Sequence, residues 1–378
     1  MTKPLIAIDP VATISIQNDP SGKSPLVLQC SFFAVFILLT TSGAPGTDIN
    51  TAVGLFNSGQ YSRCYEMANK TIEEEPYSYG EQWRVLLIES MLAVGQYDQA
   101  TKDINKILRS HRRSIPLLLL AHKVYQRTGQ TENALEMLTN IWRQGSSFSI
   151  RQWNSTDLVA LGKAALLLGG EPRIILEDFY QRALEMNPDC RQGYLEAGRL
   201  ALDKHDFALA AEHFQKAVTR YNTDPDMHYG LAMAYFHSDR TQMLLSLETA
   251  LSLNPNHTDS LLLLAEHQID SEDYPGSNHT LDQALTVNPK HPSVWAFKAV
   301  LAHLVNDPNR VTEYRSRGLE SWSTNTQVDY LIGKKLSQKY RFAEGASYQR
   351  QVLVLDQVHL PAKIQLAQDL LSLDEQEE

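Results

Sequence analysis

The sequence predicts an all-α solenoid, in which antiparallel helix pairs stack along a line. The stretch RALEMNPD at 182–189 returns as TALSLNPN at 249–256 and as QALTVNPK at 283–290, so the three prolines lie 67 and 34 residues apart. A second motif, GQY, occurs at 59–61 and again at 95–97, 36 residues later. A recurring interval of about 34 residues is typical of repeats built from two helices joined by a turn.

The composition is that of a globular protein and excludes several functions. Hydrophobic residues make up 43% of the 378 residues and charged residues 21%. The formal charge of −10 argues against a nucleic-acid partner, because phosphate binding requires clustered Lys and Arg, and the basic run RSHRR at 109–113 is short. The 3 cysteines form no CxxC pair, so neither a disulfide framework nor a zinc site is expected.

Residues 1–46 differ from the rest of the chain. The apolar run LVLQCSFFAVFILL at 26–39 follows Lys23 and precedes the small-residue stretch TTSGAPG. This order predicts a signal peptide or a membrane anchor. Acidic residues upstream and polar residues within the run leave three alternatives open, namely an atypical signal, an uncleaved anchor, or a misassigned start codon. We expect the protein to be exported, periplasmic or extracellular, or membrane-anchored, in preference to cytoplasmic.

From residue 47 to 359 the chain divides into about nine units, and 360–378 opens a partial tenth repeat or capping helix with the acidic tail DEQEE. The units start near residues 45, 81, 115, 155, 191, 225, 258, 292 and 326. Small residues recur three positions after the turn, as at Ala100, Ala134 and Ala210. They allow two helices to approach closely. One such hairpin cannot bury its apolar face alone, which requires the units to stack.

Unit 258–291 resembles the tetratricopeptide repeat family in the residues that its pattern requires. These are Leu261, Leu264, Ala265, Tyr274, Ser277, Leu281, Ala284 and Pro289. The resemblance extends over nearly all of 46–378 and implies a right-handed superhelix. It also implies a non-catalytic protein–protein interaction scaffold that binds a peptide or protein segment in its concave groove. A looser resemblance, to the N-terminal array of bacterial exported repeat proteins that continue into a peptidase-like domain, implies the alternative of a recruiting half of an exported hydrolase.

The sequence lacks the common motifs of hydrolases and nucleotide-binding proteins. Neither HExxH nor GxSxG occurs, and SGKS at 21–24 lacks the first glycine of a phosphate-binding loop. The sequence therefore predicts no catalytic, metal-binding or cofactor-binding residue.

The groove of such a superhelix is lined by the first helix of each repeat, whose ninth residue points inward. Reading this position gives three successive basic residues, Lys123, Lys163 and Arg199, to which Arg127 adds a fourth. An apolar stretch follows, consisting of Tyr229, Met233, Phe236 and Phe297. The combination predicts a partner segment with an acidic end. The alternative is ordinary solvated surface charge, in which Glu196 neutralises Arg199.

Overall fold

The computed structural model describes residues 48–74, 80–146 and 153–374. Within these ranges the chain is helical and contains no strand, and successive helices pack against each other in pairs. The expected all-α solenoid of antiparallel helix pairs is confirmed. The segment 1–46, with its apolar run at 26–39, lies outside the described residues.

The described residues form nine helix pairs followed by a single helix. In chain order the pairs are α1 Ile49–Asn57 with α2 Tyr61–Glu74; α3 Glu81–Ala93 with α4 Tyr97–Ser110; α5 Ile115–Arg127 with α6 Thr131–Ser146; α7 Ser155–Leu167 with a composite second helix; α10 Arg191–Asp203 with α11 Phe207–Arg220; α12 Pro225–Tyr235 with α13 Arg240–Leu253; α14 Thr258–Asp270 with α15 Tyr274–Val287; α16 Pro292–Leu304 with α17 Pro308–Gly318; and α18 Thr326–Gln338 with α19 Phe342–Leu355. The composite helix of repeat 4 runs through α8 Pro172–Ile174, a π-helical segment Ile175–Gln181 and α9 Arg182–Met186. The single helix is α20 Leu360–Ser372.

The helix boundaries follow from local chemistry. Asp239 and Asp273 precede second helices, and each accepts a hydrogen bond from a backbone amide of the first turn, at 3.0 and 2.9 Å. Such a cap satisfies an amide that has no partner within the helix. Proline in the first turn, as at Pro308, has the backbone angle of a helix and lacks an amide that would need a partner there.

In eight of the nine repeats the turn between the two helices contains a residue with positive φ, and the turn of repeat 6 contains none. Glycine takes this place in the first four repeats, at Gly59, Gly95, Gly129 and Gly169. Later repeats use His205, Glu272, Asn306 and Tyr340, with φ between 54° and 63°. A residue with a Cβ is disfavoured in this region, so the later turns are under mild backbone strain.

Small residues permit the close helix crossings, as the sequence predicts. Phe214 of α11 is fully buried, and its ring lies between Gly198 of α10 and Gly230 of α12. A methyl group at Gly198 would lie 2.5 Å from Phe214 Cε2, and one at Gly230 would lie 2.1 Å from Phe214 Cε1. The ring of one second helix therefore fits against the first helices of two consecutive repeats.

First helices of neighbouring repeats contact each other along the array, as α3 does with α5, α10 with α12, and α16 with α18. Second helices of neighbouring repeats make no comparable contacts within the described ranges. Because the first helices are closer together, the stack curves toward them. We call the concave face that they form the inner wall.

The curvature brings repeats 1–3 against repeats 6–8. Asn254, which ends α13, donates to the Tyr61 hydroxyl at 3.0 Å, and Asn256 donates to the Gly59 carbonyl at 3.1 Å. One repeat further along, Asn288 donates to the Leu92 carbonyl at 3.3 Å and to the Tyr97 hydroxyl at 3.0 Å. At the next repeat a methyl group on Gly129 would lie 2.3 Å from Trp322 Cδ1. We call these three contacts the seam.

Candidate functional site

The inner wall carries the predicted basic residues, and acidic residues face them. Lys123 Nζ lies 2.7 Å from Glu89 Oε2, on the preceding repeat. Lys163 Nζ lies 2.8 Å from Glu196 Oε2, on the following repeat, and Arg199 Nη1 lies 3.2 Å from Glu196 Oε1. The three successive cations are therefore part of a ladder of ion pairs and do not form an uncompensated positive strip.

Exposure differs along the ladder. The side chains of Lys123 and Arg199 are 47% and 40% exposed, whereas that of Glu196 is 13% exposed. Burial would raise the pKa of Glu196, but the charges and hydrogen bonds of Lys163 and Arg199 lower it below its ordinary value. Glu196 thus stays ionised, and an acidic ligand would have to compete with it for both cations.

Arg127, at the end of α5, is exposed and has no ion pair among the described parts of the chain. Its charge acts on groups across the seam. Burial lowers the pKa of His291, which begins repeat 8, and the positive charge of Arg127 lowers it further, to about 4. Among the predicted basic residues, Arg127 is the cation that can accept an anionic partner without breaking an existing ion pair.

The apolar stretch that the sequence predicts for the groove is only partly exposed to solvent. Tyr229 and Met233 of α12 and Phe236, which directly follows it, are half-buried and pack around Met243 and Leu247 of the same repeat. Their remaining surface lies on the first helix of repeat 6 and is available to a partner.

Phe297 does not belong to this surface, contrary to the prediction. Its side chain is 5% exposed and packs in the core with Leu261, Ala265 and Leu281. The repeat pattern places Phe297 on a first helix, but the ring points to the interior between repeats 7 and 8. Hydrophobic character alone does not distinguish an inward-facing anchor from a core residue.

A second polar cluster on the inner wall was not predicted. Arg191 of α10 contacts Asp224 Oδ1 at 3.0 Å and Asp226 Oδ2 at 2.5 Å, and His257 Nε2 lies 3.1 Å from Asp226 Oδ1. The members of this cluster belong to the starts of three successive first helices. The sequence contains a signal for it in the Asp-Pro-Asp at 224–226, but the basic partners come from the neighbouring repeats.

The cluster favours the charged forms of Asp226 and His257. Burial would raise the pKa of Asp226, but the hydrogen bond from His257 and the charges of Arg191, His257 and Arg199 lower it well below its ordinary range. Burial would lower the pKa of His257, but the hydrogen bond to Asp226 and the charges of the neighbouring carboxylates raise it. The cluster is therefore an ionic joint between repeats 5, 6 and 7.

No group of three or more His, Cys, Asp or Glu side chains in the described ranges is arranged to hold a metal ion. Cys64 and Cys190 are free and buried. Among the helices of the described residues, none has the length and apolar character to cross a membrane.

Comparison with known families agrees with the repeat geometry. One tetratricopeptide repeat model matches residues 177–225 and 195–242, and a second matches 244–301. These residues of the chain are tetratricopeptide repeats. Such repeats serve in general as protein-interaction scaffolds and not as catalytic domains.

Individual relatives share parts of this array. The human Protein O-mannosyl-transferase TMTC3 is 28% identical over 142 residues, which are 36% of this chain and 16% of that protein. The APC/C hetero-tetramer Cut9–Hcn1 aligns with 82% of this chain and 59% of that chain, at 12% identity and a TM-score of 0.53, which shows a common fold. The thermophilic TPR protein TTC0263 from Thermus thermophilus aligns over 57% of this chain and 99% of its own length, at 18% identity and a TM-score of 0.35.

Proposed function

We propose that this protein is a non-catalytic scaffold that holds a segment of another protein against its inner wall. The observation that supports this most is the set of charged and half-buried aromatic side chains along the first-helix side of the repeats, from Arg127 to Phe236. Repeats of this family place their variable, ligand-facing residues on such a concave surface. The apolar part of the segment would lie on Tyr229, Met233 and Phe236, and an acidic side chain or terminus would lie at Arg127.

The position of the binding surface can be tested by site-specific photocrosslinking. A photoreactive amino acid at Met233, on the inner wall, should crosslink the native partner in cells. The same amino acid at Leu245, which is 56% exposed on the second helix of the same repeat, is the matched control. Crosslinks of equal yield and identity from both positions would contradict the inner wall as the binding surface.

The acidic character of the partner needs a separate test. With the crosslinked partner purified, Arg127→Ser should weaken binding about 10- to 150-fold, the loss expected for one hydrogen bond to a charged group. Arg112→Ser removes the same charge from an exposed loop position and should leave the affinity unchanged. If both variants bind as the unaltered chain does, the partner has no acidic group at Arg127.

A second candidate is an array that recruits substrate for a catalytic part outside this chain. The partial match to a protein named as a transferase favours it, although it does not support the peptidase-like hydrolase in particular. Genomic sequence beyond the codon of Glu378 distinguishes the two. An open frame that continues into a catalytic domain favours recruitment, and an immediate stop codon contradicts it.

We also propose that the apolar run at 26–39 directs export or membrane attachment. The run, the preceding Lys23 and the small residues after it support this. Fractionation of cells that express the full chain with a C-terminal tag should place it in the exported or membrane fraction. Recovery only from the soluble cytosol would contradict the proposal.

A further inference from the structure

The two sequence motifs of this chain meet in the seam. The first is the turn Gly-Gln-Tyr of repeats 1 and 2, and the second is the Asn-Pro that ends repeats 6 and 7. Asn254 and Asn288 are 1% and 2% exposed, and each donates its side-chain amide to the tyrosine hydroxyl of the opposing turn. The partners are 193 and 191 residues apart in the chain.

The role of the asparagine depends on its environment and not on the motif. Asn187 belongs to the same Asn-Pro motif in repeat 4, but it is exposed and makes no contact with a Gly-Gln-Tyr turn. What it shares with the others is local, since its Oδ1 accepts from the Asp189 amide just as Asn288 Oδ1 accepts from Lys290. The donated hydrogen bond across the array is specific to repeats 6 and 7.

The seam stops after its third contact. The turn glycine of repeat 4, Gly169, has no atom within 4 Å of the place where a Cβ would be. The corresponding end of α19 carries Asp356, whose ionised carboxylate can only accept hydrogen bonds and cannot replace the donating amide of asparagine. Repeats 1–3 are thus fastened to repeats 6–8, and repeat 4 is not fastened in this way.

The seam consists of few contacts, and most of them are polar. Each of the first two contacts consists of a few neutral hydrogen bonds, which contribute little net stability because water replaces them on opening. The hydrophobic core of each repeat is formed with the repeats next to it in the chain, and not across the seam. These cores therefore stay packed when the seam opens.

We propose that the seam is a latch, which opens and closes in the folded protein and sets the pitch of the inner wall. Opening separates the turns of repeats 1–3 from the loops of repeats 6–8 and widens the wall between them. If the inner wall binds a partner segment, as proposed above, closure after entry retains that segment. The opening itself does not depend on the proposed function and can be measured on the protein alone.

The latch can be tested by distance measurement in the full chain. Bio-orthogonal fluorophores at Lys106 on α4 and Gln283 on α15, both exposed, report by single-molecule energy transfer on the separation of repeats 2 and 7. We expect a dominant short distance and a minor longer one, of about 0.1–10% as is usual for a minor state. Asn288→Ala should increase the ratio of the longer-distance to the shorter-distance population about tenfold, whereas Asn187→Ala, at the same motif position without a seam partner, should leave it unchanged.

A pair of glycine variants provides an independent perturbation. Gly95 and Gly169 both have positive φ, of 78° and 89°, so alanine imposes similar backbone strain at each. At Gly95 the new methyl group would also lie 2.3 Å from Asn288 Oδ1, whereas at Gly169 it would meet nothing. Gly95→Ala should therefore open the seam, and Gly169→Ala should not.

Hydrogen exchange on the same variants separates opening from unfolding. With a latch, α1–α4 keep their amide protection in the seam variants, because their cores are intact. Two results would overturn the proposal. One is a single distance that neither Asn288→Ala nor Gly95→Ala changes, and the other is loss of protection throughout α1–α4, which would mean that the seam is part of the folding core.

Discussion

The fit of Phe214 between two glycines leads to a quantitative prediction about the coupling of consecutive repeats. The ring is fully buried, so Phe214→Ala removes its contacts and leaves a cavity. Phe-to-Ala changes in cores cost about 3–5 kcal/mol in the free energy of unfolding. Because both neighbours are glycines on first helices, the backbone is already as close to the ring as it can be, and we expect the upper half of this range.

Gly230→Ala adds volume at the same site, whereas Phe214→Ala removes it. The added methyl group would lie 2.1 Å from Phe214 Cε1, so the ring or the α12 backbone must shift. Overpacking of this kind costs about 1–3 kcal/mol, from which the higher helix propensity of alanine subtracts at most about 1 kcal/mol. Gly54→Ala is the matched control, because its methyl group would meet nothing within 4 Å in α1, and it should be neutral or stabilising.

Combining the two changes tests the packing directly. In the double variant Phe214→Ala/Gly230→Ala, the methyl group enters the space that the ring has left, and its own clash disappears. The double variant should therefore be more stable than the sum of the single effects by about 1 kcal/mol or more. Urea unfolding followed by circular dichroism measures all four species. Additivity within about 0.5 kcal/mol would refute the inference that the ring and the glycine are in contact.

Three further changes have defined outcomes. Glu272→Gly should stabilise the fold by up to about 1 kcal/mol in thermal or urea unfolding, because glycine adopts a φ of 63° without strain, and a loss of stability would contradict this. Lys163→Ser should cost about 1–3 kcal/mol, less than the loss of a fully buried pair, since the Lys163 side chain is 25% exposed and Glu196 keeps Arg199 as a partner. Unchanged unfolding would mean that the Lys163–Glu196 pair is not formed in solution. His257 has a pKa raised above 6.5 by Asp226, so its stabilising effect is complete below that pH and is lost as the pH rises through the folded pKa. The stability difference between the unaltered chain and His257→Gln should accordingly shrink as the pH rises above about 6.5, and a constant difference would refute the charged pair.

The register of the repeats predicts which residues lie on the inner wall. It does not predict which of their charges are compensated by neighbouring residues. The pattern identifies Lys123, Lys163 and Arg199 as first-helix residues of successive repeats, which suggests a positive strip. Their compensation by Glu89 and Glu196 depends on how far each repeat is rotated relative to the next, a quantity that no single repeat encodes. The burial of Phe297 has the same origin, because the rotation decides which side of a first helix meets the neighbouring repeat.

The amino-acid sequence by itself determines the helices, their ends and their pairing. Caps such as Asp239, the turn glycines and the small residues at Gly198 and Gly230 act on neighbours within about one repeat, so their effect can be read locally. Only the tertiary structure decides that Asn288 of repeat 7 meets Tyr97 of repeat 2, or that Asn187 in the same motif meets no such turn. Small rotations between repeats add up over the array, and their sum, rather than any local pattern, sets which distant surfaces come into contact.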